Sequence, residues 1–99
     1  MANPLEVFWS FRAEGDLENI YHYLESKWSD KEVSEFKFKL EKAISLIASR
    51  PKLFRSTNHR KNLRRCVLSK QTIIYYFENE NSVLIVSLFD NRQDPGKSP

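Results

Sequence analysis

The stretch 63–90, LRRCVLSKQTIIYYFENENSVLIVSLFD, decides the fold of this 99-residue chain. Three runs in it are dense in β-branched and aromatic residues: Leu63–Leu68, Thr72–Phe77 and Val83–Phe89. Ser69, Lys70 and Gln71 separate the first two, and Glu78 to Ser82, with two Asn, separates the second pair. Connections this short leave no room for a crossover, so they predict an antiparallel meander. Adjacent residues of a strand face opposite sides of a sheet. One of Arg64 and Arg65 must therefore point away from the core. Tyr75 and Tyr76 divide in the same way, one joining the core and the other free to stack a base.

Upstream the apolar period changes from two to that of a helix. Leu5 to Trp9, after Pro4, reads as a first strand. Ser10 then offers an N-cap, and Ala13, Leu17, Ile20, Leu24 and Trp28 form one apolar stripe. Gly15 costs this helix roughly 1 kcal/mol relative to Ala. Ser29 and Glu32 stand in the capping-box arrangement, followed at helical spacing by Val33, Phe36, Leu40, Ala43 or Ile44, and Ile47. Ser49, Arg50 and Pro51 end the second helix, because the residue before Pro avoids helical dihedrals. Only Ser29 and Asp30 separate the two patterns, which forces an antiparallel helical hairpin.

Residues 51–62 read as an ordered basic loop with Leu53 and Phe54 as anchors, and Asn91–Pro99 as a tail that is flexible from about residue 93. The expected fold is α+β in the order β-α-α-β-β-β, a single domain over 1–99. The helical hairpin packs on one face of a mainly antiparallel four-stranded sheet, with the first strand at an edge and the other face open. Trp9 and Trp28 are expected in the core, and His22 on the surface of the first helix.

Composition narrows the function. Cys66 is the only cysteine, so no intrachain disulfide can form, and no Cys or His stands at zinc-ligand spacing. No metal or cofactor is expected, and Cys66 reads as a small apolar strand residue. The chain shows no basic start followed by an apolar run, and no segment approaches about 18 apolar residues. A soluble, cytoplasmic protein without a membrane partner is the expectation. Charge is unevenly spread. Residues 42–77 hold nine bases and no acid, namely Lys42, Arg50, Lys52, Arg55, Arg60, Lys61, Arg64, Arg65 and Lys70. Such a block suits a polyanion or an acidic partner.

Four stretches, in order, give the chain a family likeness. They are Trp9-Ser10 with Ala13, Asp16, Leu17, Ile20, Tyr23 and Trp28; the second helix ending in Ile47, then Pro51 and Phe54-Arg55; Leu63-Arg64-Arg65 with Ile74-Tyr75-Tyr76; and Ile85-Val86-Ser87-Leu88-Phe89-Asp90 closing on Arg92-Gln93-Asp94-Pro95. Together the sequence resembles the RelE/ParE superfamily of bacterial toxins, on the side of its ParE-like branch. The resemblance implies the toxin of a type II toxin–antitoxin pair, held inactive by a cognate antitoxin. ParE-like members poison DNA gyrase and are not themselves enzymes; RelE-like members cut mRNA on the ribosome. Ribonuclease members carry an Arg where Thr72 stands here, and a Tyr or His–Tyr pair after the last strand, where Arg92 is followed by neither. The resemblance therefore favours gyrase, with ribosome-dependent RNA cleavage, or a toxin-fold nucleic-acid-binding protein without toxicity, as alternatives.

Metal-free RNA cleavage needs a base, an acid and cations for the phosphate. Arg65, Arg92, Lys70 and His59 are the candidates for such chemistry. For binding a nucleic acid or another target the candidates are Arg60, Lys61, Arg64, Arg65, Lys70 and Arg92, since Arg binds phosphate oxygens in pairs. Glu78 and Asp90 read as strand ends in solvent, with a role as base as the alternative. Arg92 follows the last strand between two acids, Asp90 and Asp94. It reads either as a surface ion pair or, by the resemblance, as a residue of the working surface. Exposed strand edges also allow a homodimer in the free toxin and a hetero-oligomer with the antitoxin.

Overall fold

A computed structural model describes residues 4–57, 60 and 62–92. The elements follow the expected order: β1 (Glu6–Trp9), α1 (Phe11–Lys27), α2 (Asp30–Ser49), β2 (Leu63–Val67), β3 (Thr72–Glu78) and β4 (Ser82–Asp90). The sheet runs β1-β4-β3-β2. β2, β3 and β4 form the antiparallel meander, and β1 joins the far side of β4 in parallel. The expected α+β fold, with two helices on one face of a mainly antiparallel sheet, is the observed one.

Both helix starts obey their sequence signals. The Ser10 side chain accepts the Ala13 N–H at 2.9 Å. At α2 the Glu32 carboxylate accepts the Ser29 N–H at 3.0 Å and is also bonded by the Ser29 hydroxyl. Those bonds hold the Glu32 carboxyl below its usual range. Between the helices, Tyr21 and Phe36 meet edge to face at 5.4 Å. Ala13, Ile20 and Leu24 from α1 and Phe36, Leu40 and Ile47 from α2 bury against Cys66, Ile74, Tyr76, Val83, Ile85 and Leu88 of the sheet. Each fully buried Ile or Leu contributes about 2 kcal/mol.

One feature of β4 has no counterpart in the sequence pattern. Tyr75 pairs with Ser87 but Tyr76 pairs with Ile85, so Val86 is an extra residue. This β-bulge shifts the inward set from Val83 and Ile85 to Leu88 and Asp90. The α1 helix fastens the bulge where β1 has ended. Ser10 Oγ donates to the Val86 carbonyl at 2.7 Å, and Asp16 Oδ2 accepts the Leu88 N–H at 3.0 Å. These two polar side chains satisfy a strand edge that would otherwise be bare.

The loop after α2 is ordered at 51–57. The buried Tyr76 hydroxyl donates to the Pro51 carbonyl at 2.6 Å, and burial pushes this phenol up to about 12. Phe54 packs edge to face on Tyr76 at 6.4 Å. Leu53, expected as a second anchor, is exposed instead. Arg55–Thr57 runs along the outer edge of β2, where the Arg65 N–H donates to Arg55 O and the Thr57 N–H to Leu63 O. Trp9 is partly buried against the core, but Trp28 is 46% exposed at the tip of the hairpin, contrary to expectation. The tail from 93 lies outside the described residues.

Candidate functional site

Register and alternation sort the candidate residues between the two faces of the sheet. Cys66, Ile74 and Tyr76 point to the helices, so Arg65, Tyr75 and Phe77 point to the open face. Across the strands this face presents one row of Phe8, Leu84, Phe77 and Leu63, and a second row of Ser87, Tyr75 and Arg65. A third row holds Phe89, Ile73 and Val67. Arg65 is exposed. Arg60 reaches in from the loop, its guanidinium carbon 6.0 Å from the centre of the Phe77 ring. The Thr57 hydroxyl, which accepts the Arg60 N–H at 3.3 Å, helps to hold it there. The open face is therefore an aromatic and aliphatic plane with arginines along its β2 side. Such a plane can stack a flat group and hold an anion beside it.

Arg64 lies on the helix side and is committed to structure. Its Nε sits 2.6 Å from Glu78 Oε1, and its Nη1 donates to the Phe54 carbonyl at 2.6 Å. Arg64 thus pins the 51–54 loop, and Glu78, expected in solvent, is its partly buried partner.

Arg92 is also on the helix side. Its Nε and Nη2 fork onto Asp90 at 3.0 and 2.7 Å, and its backbone N–H adds a third bond to the same carboxylate at 2.9 Å. Thr72 Oγ1 donates to Asp90 from the other side at 2.8 Å. Asp90, expected in solvent, is only 5% exposed. Burial alone would raise its pKa, but the bonds from Arg92 and Thr72 outweigh that and hold it below the usual carboxylate range. The same bond to Asp90 raises Arg92. The Arg92 guanidinium also lies 5.9 Å from the Trp28 ring centre, which ties the end of β4 to the hairpin tip.

Lys70 is exposed in the β2–β3 turn, near that same end of the sheet, where its carbonyl accepts from Asn91 Nδ2 at 3.5 Å. Lys61 and His59 lie outside the described residues. The candidates therefore do not form one cluster. Arg60 and Arg65 share the open face, Arg64 and Arg92 brace the fold, and Lys70 stands apart. The basic block of 42–77 is likewise divided between faces. Sequence reading singled out Tyr75 or Tyr76 but missed Phe8, Phe77 and Phe89 as open-face residues. Phe77 shares the parity of Tyr75, which was the available signal; Phe89 needed the bulge.

Exposed His22 faces solvent from α1 beside Glu18. Burial pushes the Cys66 thiol up to about 11, so it stays protonated and unreactive at neutral pH. Among the described residues no group of three His, Cys, Asp or Glu side chains could hold a metal ion. No described helix is long and apolar enough to cross a membrane.

Comparison with known proteins agrees with this architecture. The family model of the ParE toxin of type II toxin–antitoxin system, parDE, matches residues 7–95. Toxin ParE1 of Caulobacter vibrioides is 30% identical over 67 residues, covering 67% of this chain and 70% of that protein. Among solved structures, the chromosomal ParDE system from P. aeruginosa superposes with a TM-score of 0.69 at 15% identity, covering 90% of this chain and 98% of that one. The E. coli DinJ-YafQ toxin–antitoxin complex gives 0.64 at 11% identity, with 95% and 100% covered. The YoeB dimer from Staphylococcus aureus gives 0.62 at 16%, with 88% and 97% covered.

Proposed function

This chain belongs to the ParE toxin family of type II toxin–antitoxin systems, and we propose that it arrests bacterial growth by poisoning DNA gyrase until a cognate antitoxin neutralises it. One observation carries the choice of target. The open-face row around Arg65 offers Tyr75 and Ser87 but no carboxylate, while Glu78 and Asp90 are both taken up by arginines on the opposite side. General acid–base cleavage of RNA needs a titratable pair within reach of the 2′-hydroxyl and the leaving oxygen. Binding and trapping another protein on DNA needs only a shaped, charged surface, which Arg60, Arg65 and the aromatic rows supply.

The purified toxin should stabilise cleaved DNA–gyrase complexes and leave ribosome-bound mRNA uncut. Cleavage of mRNA within stalled ribosomes, with gyrase unaffected, would overturn this reading in favour of the ribonuclease one. The ribonuclease reading draws support from the same pairing of Arg65 with Tyr75, which suits an unpaired base and its phosphate. It further requires a catalytic group such as His59, so His59→Ala should abolish cleavage if that reading is right.

A further inference from the structure

Phe11 is 93% exposed at the start of α1, more than any other large apolar side chain among the described residues. Gly15 follows one turn later on the same helix face, with nothing within 4 Å of where a Cβ would stand. This glycine weakens the helix without serving a turn or a tight contact inside the chain. It leaves the α1 backbone open to close approach from outside. On the flank of this face, Trp9 of β1 and Glu14, Leu17, Glu18 and Tyr21 of α1 line a surface groove of about 390 Å³. Trp9, Leu17 and Tyr21 each pack against the core, and Tyr21 meets Phe36 edge to face. The apolar floor is thus held in place before anything binds.

The groove is also charged. Its lining holds two carboxylates and no base. Glu14 and Glu18 stand one turn apart, both exposed. Among the described residues Glu14 has no ion pair, and Glu18 meets only His22, at 4.0 Å, in a solvent-exposed contact of little strength. Burial and then the Glu41 carboxylate raise the Tyr21 phenol, so a third negative charge acts on the same groove.

We propose that this α1–β1 groove is the contact with the protein part of the toxin's target, and that it receives a segment in which Lys or Arg stands beside apolar side chains. This rests on the reading that the toxin traps a protein on DNA. The stem of a Lys or Arg can lie on Trp9 and Tyr21 while its charged head reaches Glu14 and Glu18. An acidic partner suits the basic block of 42–77 and is repelled here. A second copy of this chain is a poor occupant, because a twofold contact would set Glu14 and Glu18 against their own counterparts. The groove lies on the helix side of the sheet, which leaves the plane of Arg60 and Arg65 free for DNA.

Calorimetric titration of the purified toxin into DNA-free gyrase tests this. Phe11→Ser should weaken binding by about tenfold or more. Glu14→Gln/Glu18→Gln should weaken it by a similar factor and lower its salt dependence. Glu80→Gln, which neutralises an exposed acid of the β3–β4 turn, should bind like the wild type. All of these side chains are exposed, so wild-type melting temperatures are expected throughout. In the wild-type complex, hydrogen exchange over residues 11–18 should slow, which reports on the site without any variant. Wild-type affinity in both groove variants, or unchanged exchange over 11–18, would overturn the groove while leaving gyrase as the target. So would a wild type that accumulates cleaved complexes without binding DNA-free gyrase. Neither binding nor cleaved complexes would overturn both readings. Self-association of the free toxin that Glu14→Gln/Glu18→Gln dissolves would make a second copy the occupant instead. Loss of antitoxin binding in the groove variants, with gyrase binding kept, would assign the groove to the antitoxin.

Discussion

Arg64 and Arg65 are adjacent in β2 and point to opposite faces of the sheet: Arg64 forms a 2.6 Å ion pair with Glu78 beneath the 51–54 loop, and Arg65 stands exposed opposite Tyr75 on the open face. The two should separate stability from toxicity. Arg64→Ala strands a partly buried Glu78 and frees the Phe54 carbonyl, costing about 2–3 kcal/mol. Arg65→Ala should cost within about 0.5 kcal/mol yet weaken growth arrest. Urea unfolding and a growth assay at matched soluble expression check both; equal effects of the two variants in either assay would contradict the assignment of faces.

Arg92 follows the last strand, and from sequence its removal should leave the fold intact. The structure revises that. Arg92→Ala leaves the buried Asp90 carboxylate with Thr72 as its side-chain donor, so a loss of about 2–4 kcal/mol is expected. Reduced toxicity in this variant would then need a melting temperature beside it before it could be read as loss of a target contact.

The same carboxylate gives the protein an acid limit. Asp90 titrates below its unfolded value, so its contribution is present above the unfolded pKa of about 4 and is lost as pH falls through the lower folded value. In Arg92→Ala, burial still raises the Asp90 pKa while the strongest opposing bonds are gone. Its acid unfolding should begin at a higher pH than that of the wild type. Coincident acid limbs in circular dichroism would show that Asp90 does not set the limit.

Tyr76 sets a matching alkaline limit. Its phenol is raised to about 12, so its stabilisation is complete below the unfolded pKa of about 10 and is lost as pH rises through the folded value. Tyr76→Phe should cost about 1–2 kcal/mol at neutral pH, because the Pro51 carbonyl loses its donor, and should flatten the alkaline limb. Absorbance titration of tyrosinate against unfolding measures both parts.

Gly15 should be replaceable. It lies in α1 with open space where a Cβ would stand, and its φ is not positive. Gly15→Ala should raise stability by about 0.5–1 kcal/mol. A fall in melting temperature would contradict the open space around this position.

Local rules wrote most of the architecture into the sequence. The Ser10 cap, the Ser29–Glu32 capping box, the two helical stripes and the short β turns act between residues a few positions apart, so they could be read without knowing the fold. What they could not supply was the partner of a residue far along the chain. Arg92 and Asp90 are two positions apart, yet only Thr72 and the packed helices make Asp90 a buried carboxylate rather than a solvated strand end. Alternation showed that Arg64 and Arg65 must diverge. Which one reached the open face depended on the side of β2 that the hairpin covered. The β-bulge at Val86 is the sharpest case. Val83 to Phe89 is apolar at nearly every position, so one extra residue shifts the buried set without changing the pattern. Tertiary structure decided its place, because Ser10 and Asp16 on α1, more than 70 residues away, hold the groups that the bulge exposes.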